Sequence, residues 1–67
     1  MDTLTIRQAY EAMLLFLEGL YERTKSDDLG ALLGDLQILD DGGTADPAAW
    51  QDWLNSVQTV LSANNPQ

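Results

Sequence analysis

Carboxylates are the only chemically reactive side chains that this sequence holds in quantity. The chain has 11 Asp and Glu residues against 3 Lys and Arg residues, and it has no His and no Cys. These absences exclude a Ser-His or Cys-His catalytic group and a thiolate or imidazole metal site, so we expect no metal and no cofactor. Asp and Glu can catalyse proton transfer by themselves, but 67 residues leave little room for a substrate pocket. We therefore do not expect an enzyme.

Six of the carboxylates are concentrated in the middle of the sequence. They are Asp27, Asp28, Asp35, Asp40, Asp41 and Asp46. One interpretation is an acidic docking surface for a basic partner. The other interpretation is that these residues have local structural roles, because three of the six begin or precede predicted helices and two lie in a predicted turn. The local interpretation explains most individual positions, but it does not explain a net charge of −8.

Two specific interpretations of the acidic segments fail on their spacing. A helix–loop–helix calcium site that began at Asp40 would need an oxygen ligand at the third position and Gly at the sixth, where this sequence has Gly42 and Ala45. A phosphopantetheine carrier would show Asp-Ser-Leu at a helix start, whereas Ser26 here precedes Asp27.

The first helix is predicted at about residues 5 to 24. Thr5 and Gln8 have the spacing of a capping box. Apolar residues then recur with the period of an amphipathic helix and cover an arc of roughly 200°. These residues are Ile6, Tyr10, Met13, Phe16, Leu17 and Leu20.

The second helix is predicted at about residues 27 to 36, with Ser26 as its N-cap. Gly30 and Gly34 each cost about 1 kcal/mol relative to Ala in a helix, which suggests that another helix approaches closely. The apolar stripe consists of Leu29, Leu32, Leu33 and Leu36.

The third helix is predicted at about residues 47 to 62, because Asp46-Pro47 combines a favoured N-cap with proline at the first helical position. Residues 63 to 67 are predicted to be a frayed tail. The composition of residues 40 to 43, Asp-Asp-Gly-Gly, predicts a turn. Residues 37 to 41 could also be extended. The apolar stripe of this helix consists of Trp50, Trp53, Leu54, Val57, Val60 and Leu61.

Together these elements predict an all-α fold, a small three-helix bundle that forms a single domain over residues 1 to 62. No segment has the roughly 20 apolar residues of a membrane span, and the N-terminus lacks the pattern of a signal peptide. We therefore expect a cytoplasmic protein.

One face of the first helix is a candidate binding surface. Leu15 falls among Glu11, Glu18 and Glu22, where an apolar residue is either a solitary exposed leucine or a binding hot spot. The two tryptophans could form a binding platform, but their position on an apolar stripe favours the core. The predicted partner-binding residues are Glu11, Leu15, Glu18, Glu22, Asp27, Asp28, Asp40 and Asp41.

Two stretches of the sequence, Tyr21–Gly30 with the following Leu32-Leu33 and Asp46–Trp53, resemble a family of small acidic uncharacterised bacterial proteins. Some members of that family look like immunity proteins of toxin–immunity pairs. The resemblance covers residues 5 to 61 and brings no catalytic motif with it. It implies an interaction protein.

The predicted function is a non-enzymatic protein-binding module. It would be an acidic immunity or inhibitor protein that occludes a basic partner, such as a nucleic-acid-directed toxin domain. Direct nucleic-acid binding is not expected, because only Arg7, Arg23 and Lys25 could neutralise phosphate. The alternative is an acidic regulatory or structural subunit that self-associates, for example as a homodimer.

Overall fold

Three α-helices account for the regular secondary structure of residues 2 to 64. The computed structural model describes residues 2 to 64 and shows no strand among them. The helices are α1 (Ile6–Thr24), α2 (Asp27–Leu36) and α3 (Pro47–Asn64). This confirms the predicted all-α three-helix architecture. α3 continues through Asn64, past its predicted end at residue 62, and residues 65 to 67 of the predicted tail lie outside the described part of the chain.

Local hydrogen bonds set the ends of α1 and the start of α2. The Thr5 hydroxyl accepts the Gln8 N–H at 3.0 Å, and the Gln8 side chain accepts the Thr5 N–H at 2.9 Å, so the capping box forms as predicted. At the other end Lys25 adopts a left-handed conformation with φ of 51°, and its N–H donates to the Tyr21 carbonyl. Ser26 follows directly and caps α2 by accepting the Leu29 N–H.

Tyr10 is the centre of the core and joins the three helices. Its side chain is 1% exposed, and its hydroxyl donates to the Leu36 carbonyl at the end of α2 over 2.6 Å. On the other side its ring meets the edges of Trp50 and Trp53 of α3, each with ring centroids 5.4 Å apart. Both tryptophans are partly buried against this core, which agrees with the core interpretation of their stripe.

The buried face of α1 is narrower than its apolar stripe and is rotated relative to it. Leu14, which borders the charged face in the sequence, is buried, whereas Ile6 and Phe16 are exposed. Ile6 and Phe16 thus belong to the predicted apolar stripe but not to the core. An apolar arc of roughly 200° is wider than the contact that α2 and the start of α3 make with α1.

The second half of α3 extends beyond the rest of the bundle. The Trp53 indole N–H donates to the carbonyl of Ile6, the first residue of α1, at 3.3 Å. The residues that follow Trp53 therefore leave the α1 surface, and Val60 and Leu61 are exposed rather than buried as their stripe suggests. Leu32 of α2 is likewise exposed.

A compact loop connects α2 with α3. The chain is extended at Gln37, and Ile38 then forms an isolated antiparallel bridge with Thr44. The intervening residues turn back, with the Leu39 N–H donating to the Gly43 carbonyl at 2.7 Å. The predicted N-cap of α3 forms, because the Asp46 carboxylate accepts the Ala48 N–H at 3.0 Å.

The two glycines of α2 differ in their surroundings, and this difference predicts opposite effects of alanine. At Gly30 an added Cβ would lie 3.0 Å from the Tyr21 ring, so α1 does approach α2 closely there, whereas at Gly34 nothing lies within 4 Å. We expect Gly34→Ala to stabilise the domain by about 0.5–1 kcal/mol through backbone entropy. Gly30→Ala should be less stable than Gly34→Ala by about 1 kcal/mol or more, because the Tyr21 ring must move.

Urea unfolding of the two alanine variants in parallel measures this difference. Equal midpoints for Gly30→Ala and Gly34→Ala would show that the contact between Tyr21 and Gly30 contributes nothing.

None of the helices within residues 2 to 64 is both long and apolar enough to cross a membrane.

Candidate protein-binding surface

Four of the predicted partner-binding residues form one exposed stripe along α1, which we call the α1 acidic face. Its members are Glu11, Leu15, Glu18 and Glu22, spaced so that they lie one above another on a helix. All four are exposed, and Leu15 is 69% exposed. The stripe is about 16 Å long. An apolar side chain ringed by three carboxylates is therefore available at the surface.

The basic residues do little to offset this negative surface. The only ion pair among residues 2 to 64 joins Lys25 Nζ to Glu22 Oε2 at 3.3 Å, and both side chains are largely exposed, so it is weak. The two terminal guanidinium nitrogens of Arg7, Nη1 and Nη2, both donate to the Gly42 carbonyl at 3.3 Å, and the same group lies 5.6 Å from the Trp50 ring centroid. Arg7 thus ties the α2–α3 loop to α1 and offsets no carboxylate.

The other four predicted residues do not join the α1 acidic face in one compact cluster. Asp27 and Asp28 occupy the first turn of α2, beyond the C-terminal end of α1. Asp40 and Asp41 lie in the α2–α3 loop, which Arg7 holds near the N-terminal end of α1. Since α1 is about 28 Å long, the two pairs are separated by almost the full helix.

These two acidic pairs also have local structural roles. Asp27 and Asp28 place negative charge at the positive end of the α2 dipole. The Asp41 carboxylate accepts the Gly43 N–H at 2.9 Å within the turn. The local interpretation thus accounts for Asp27, Asp28 and Asp41, and it leaves the α1 acidic face unexplained.

The sequence interpretation missed the exposure of Phe16. This side chain is 65% exposed and lies about 100° around α1 from Leu15. Its neighbours one turn away, Ala12 and Leu20, are uncharged, so it forms a separate apolar spot. The width of the apolar arc is the sequence signal that could have indicated it.

A cavity of about 320 Å³ lies where the three helices meet; we call it the acidic cavity. Apolar side chains from all three helices form most of its wall, and three carboxylates line it as well. The lining residues are Tyr10, Met13, Leu32, Asp35, Leu36, Asp46, Ala49, Asp52, Trp53 and Ser56. Sequence reasoning did not select Asp35 or Asp52 as site residues, because no pattern in the sequence brings them together.

A second cavity of about 210 Å³ lies on the exposed half of α3; we call it the apolar cavity. It contains no charged residue and shares two of its lining residues with the acidic cavity. Its lining residues are Trp53, Ser56, Val57, Val60 and Leu61.

The phenol of Tyr10, in the core, has a shifted pKa. Burial raises the pKa of the Tyr10 phenol above its ordinary value of 10.0. Within residues 2 to 64, no three acidic side chains lie close enough together to hold one metal ion. The surface of the described residues thus has separate charged and apolar zones.

Compared with known protein families, curated proteins and solved structures, the chain matches none of them at a significant level. The resemblance to small acidic bacterial proteins therefore stays a prediction.

Proposed function

We propose that this chain is a non-enzymatic binding module that occludes a basic protein, such as a toxin domain that acts on nucleic acid. The observation that carries the proposal is the α1 acidic face, which presents an apolar side chain among three carboxylates and is exposed along its whole length. Solubility accounts for the carboxylates alone, whereas a binding hot spot accounts for the apolar side chain together with the charges around it.

The mechanism rests on the different ranges of the two interactions. The net charge of −8 attracts a basic partner over distances near the Debye length of roughly 10 Å and speeds the encounter. Leu15 then supplies short-range apolar contact that slows dissociation. A domain that acts on nucleic acid is basic because its substrate is anionic, so carboxylates that cover its site compete with that substrate directly.

Charge and anchor substitutions should therefore have separable kinetic effects. We expect Glu18→Lys to slow association and to flatten its dependence on salt. Leu15→Ala should mainly speed dissociation and cost about 1–2 kcal/mol of binding free energy. The measurement is capture of natural partners from a lysate of the source organism at low and high salt, followed by binding kinetics with the purified partner.

The double variant Asp2→Asn/Gln58→Lys is the charge-matched control. It raises the net charge of −8 by two, as Glu18→Lys does, at exposed positions away from the α1 acidic face. It should slow association less than Glu18→Lys. The proposal is wrong if the captured proteins are not basic. It is also wrong if Leu15→Ala lowers the free energy of unfolding by much more than about 0.5 kcal/mol, because an exposed anchor does not support the fold.

Self-association is the second candidate function, and the apolar cavity favours it. The segment from Trp53 to Asn64 carries no charged residue, so a second copy would meet the least electrostatic repulsion there. Sedimentation equilibrium of the native protein and of Val60→Asp tests this candidate. A dimer that Val60→Asp converts to a monomer supports it, and a monomeric native protein at high micromolar concentration excludes it.

A further inference from the structure

The acidic cavity combines an apolar wall with three aspartates, and two of these have no hydrogen-bond or ion-pair partner for their carboxylates among residues 2 to 64. Its two aromatic residues, Tyr10 and Trp53, belong to the wall. The Asp46 carboxylate is occupied with the Ala48 N–H. Within residues 2 to 64, the carboxylates of Asp35 and Asp52 accept no hydrogen bond and form no ion pair. Two free negative charges therefore border a cavity whose volume is at the small end of the ~300–1,000 Å³ range of ligand sites.

The position of Asp35 is unfavourable for the stability of its own helix. It lies in the last turn of α2, where the helix dipole places partial negative charge, and that turn contains no basic residue. A cation that enters the cavity would offset both the carboxylate and the helix end.

We infer that the acidic cavity takes an arginine side chain of the basic partner. This inference rests on the proposed function for its choice of a basic protein as the occupant. A guanidinium presents five donors and stacks on aromatic rings, so it can contact separated carboxylates while its stem lies against the apolar wall. The structure already contains one guanidinium beside an aromatic ring, because the Arg7 guanidinium lies 5.6 Å from the Trp50 ring centroid.

Titration of the isotope-labelled protein with n-butylguanidinium tests the inference, because this ion reproduces an arginine side chain. The indole N–H signals in the amide spectrum are the readout. Trp53 lines the cavity and Trp50 does not, so the Trp53 signal should shift saturably while the Trp50 signal serves as an internal reference. The expected Kd is on the order of 10 mM for so small a ligand. Butylurea, a neutral molecule of the same shape, should bind about tenfold more weakly.

The variant Asp35→Asn/Asp52→Asn should weaken butylguanidinium binding by about tenfold or more. Both substitutions keep the side-chain shape, and removing the charge of Asp35 relieves the helix end, so the variant is expected to fold. Asp2→Asn/Gln58→Lys changes the net charge of −8 by the same amount and should leave the Kd within about twofold, since distant exposed charges are screened. Equal Kd values for the two double variants, or shifts that do not saturate, would overturn the inference.

The same variants separate a failure of this inference from a failure of the proposed function. If Glu18→Lys and Leu15→Ala behave as proposed toward a basic partner while Asp35→Asn/Asp52→Asn binds that partner as tightly as the native protein, the arginine site is wrong and the function stands. If Asp35→Asn/Asp52→Asn weakens partner binding by about tenfold and Leu15→Ala does not, the partner docks at the acidic cavity and the α1 acidic face is wrong.

Discussion

Tyr10→Ala is expected to leave the protein unfolded at 25 °C. Removing a buried aromatic side chain costs about 3–5 kcal/mol, and Tyr10 is the one large side chain of the described residues that is fully buried. A helical domain of this size without disulfides has a total stability of only about 3–5 kcal/mol. The truncation also removes the edge contacts with both tryptophans and the hydrogen bond to the Leu36 carbonyl. Circular dichroism in water and in urea measures the result.

Tyr10→Phe is the matched variant, because it removes the hydroxyl and keeps the ring. We expect it to fold and to lose about 1–2 kcal/mol, since the Leu36 carbonyl is left without its donor. If Tyr10→Ala keeps a urea midpoint close to that of Tyr10→Phe, the ring is not the centre of the core.

Alkaline pH gives a second readout of the same residue. Because burial raises the pKa of Tyr10 in the folded state above 10.0, the unfolded phenol loses its proton first as the pH rises. The stabilisation that Tyr10 contributes is therefore complete below pH 10 and is lost as the pH rises through the folded-state pKa. Urea unfolding at a series of pH values should show a steeper alkaline loss for the native protein than for Tyr10→Phe.

Trp53→Ala is expected to have the second largest effect, a loss of about 3–5 kcal/mol. Trp53 packs on Tyr10 with a ring-centroid distance of 5.4 Å, and its indole N–H holds α3 to the Ile6 carbonyl at 3.3 Å. The buried leucines that remain, Leu14 of α1 and Leu33 of α2, form too small a core to hold a domain together. The domain should therefore unfold as one unit, with the loss of helix signal from α1, α2 and α3 together.

Val60→Ala is the control for Trp53→Ala on the same helix. Val60 is 57% exposed on the half of α3 that extends past α1, so its truncation should change the free energy of unfolding by no more than about 0.5 kcal/mol. Thermal unfolding of the two variants compares the halves of α3 directly. A loss at Val60 comparable with the loss at Trp53 would mean that the outer half is packed, and it would contradict the exposed apolar cavity.

The helix boundaries were predictable because short-range chemistry sets them. Thr5 and Gln8 bond to each other's backbone, Ser26 caps the next helix, and Asp46 with Pro47 starts the third. Each of these signals acts within a few residues, so it does not depend on how the helices pack. The exposure of the α1 acidic face also followed from the helical period, because three glutamates cannot be buried without partners.

Packing alone decided which apolar residues form the core and where the cavities lie. The sequence shows an apolar arc on α1 that is wider than its contact, and nothing in it selects Leu14 over Phe16. That choice depends on the short α2 and on the crossing of α3 at the start of α1, where Trp53 meets Ile6. The acidic cavity is a product of the same crossing, since Asp35 and Asp52 belong to different helices. Local propensity determines where each helix begins, and only the tertiary contacts determine which sides of the helices face one another.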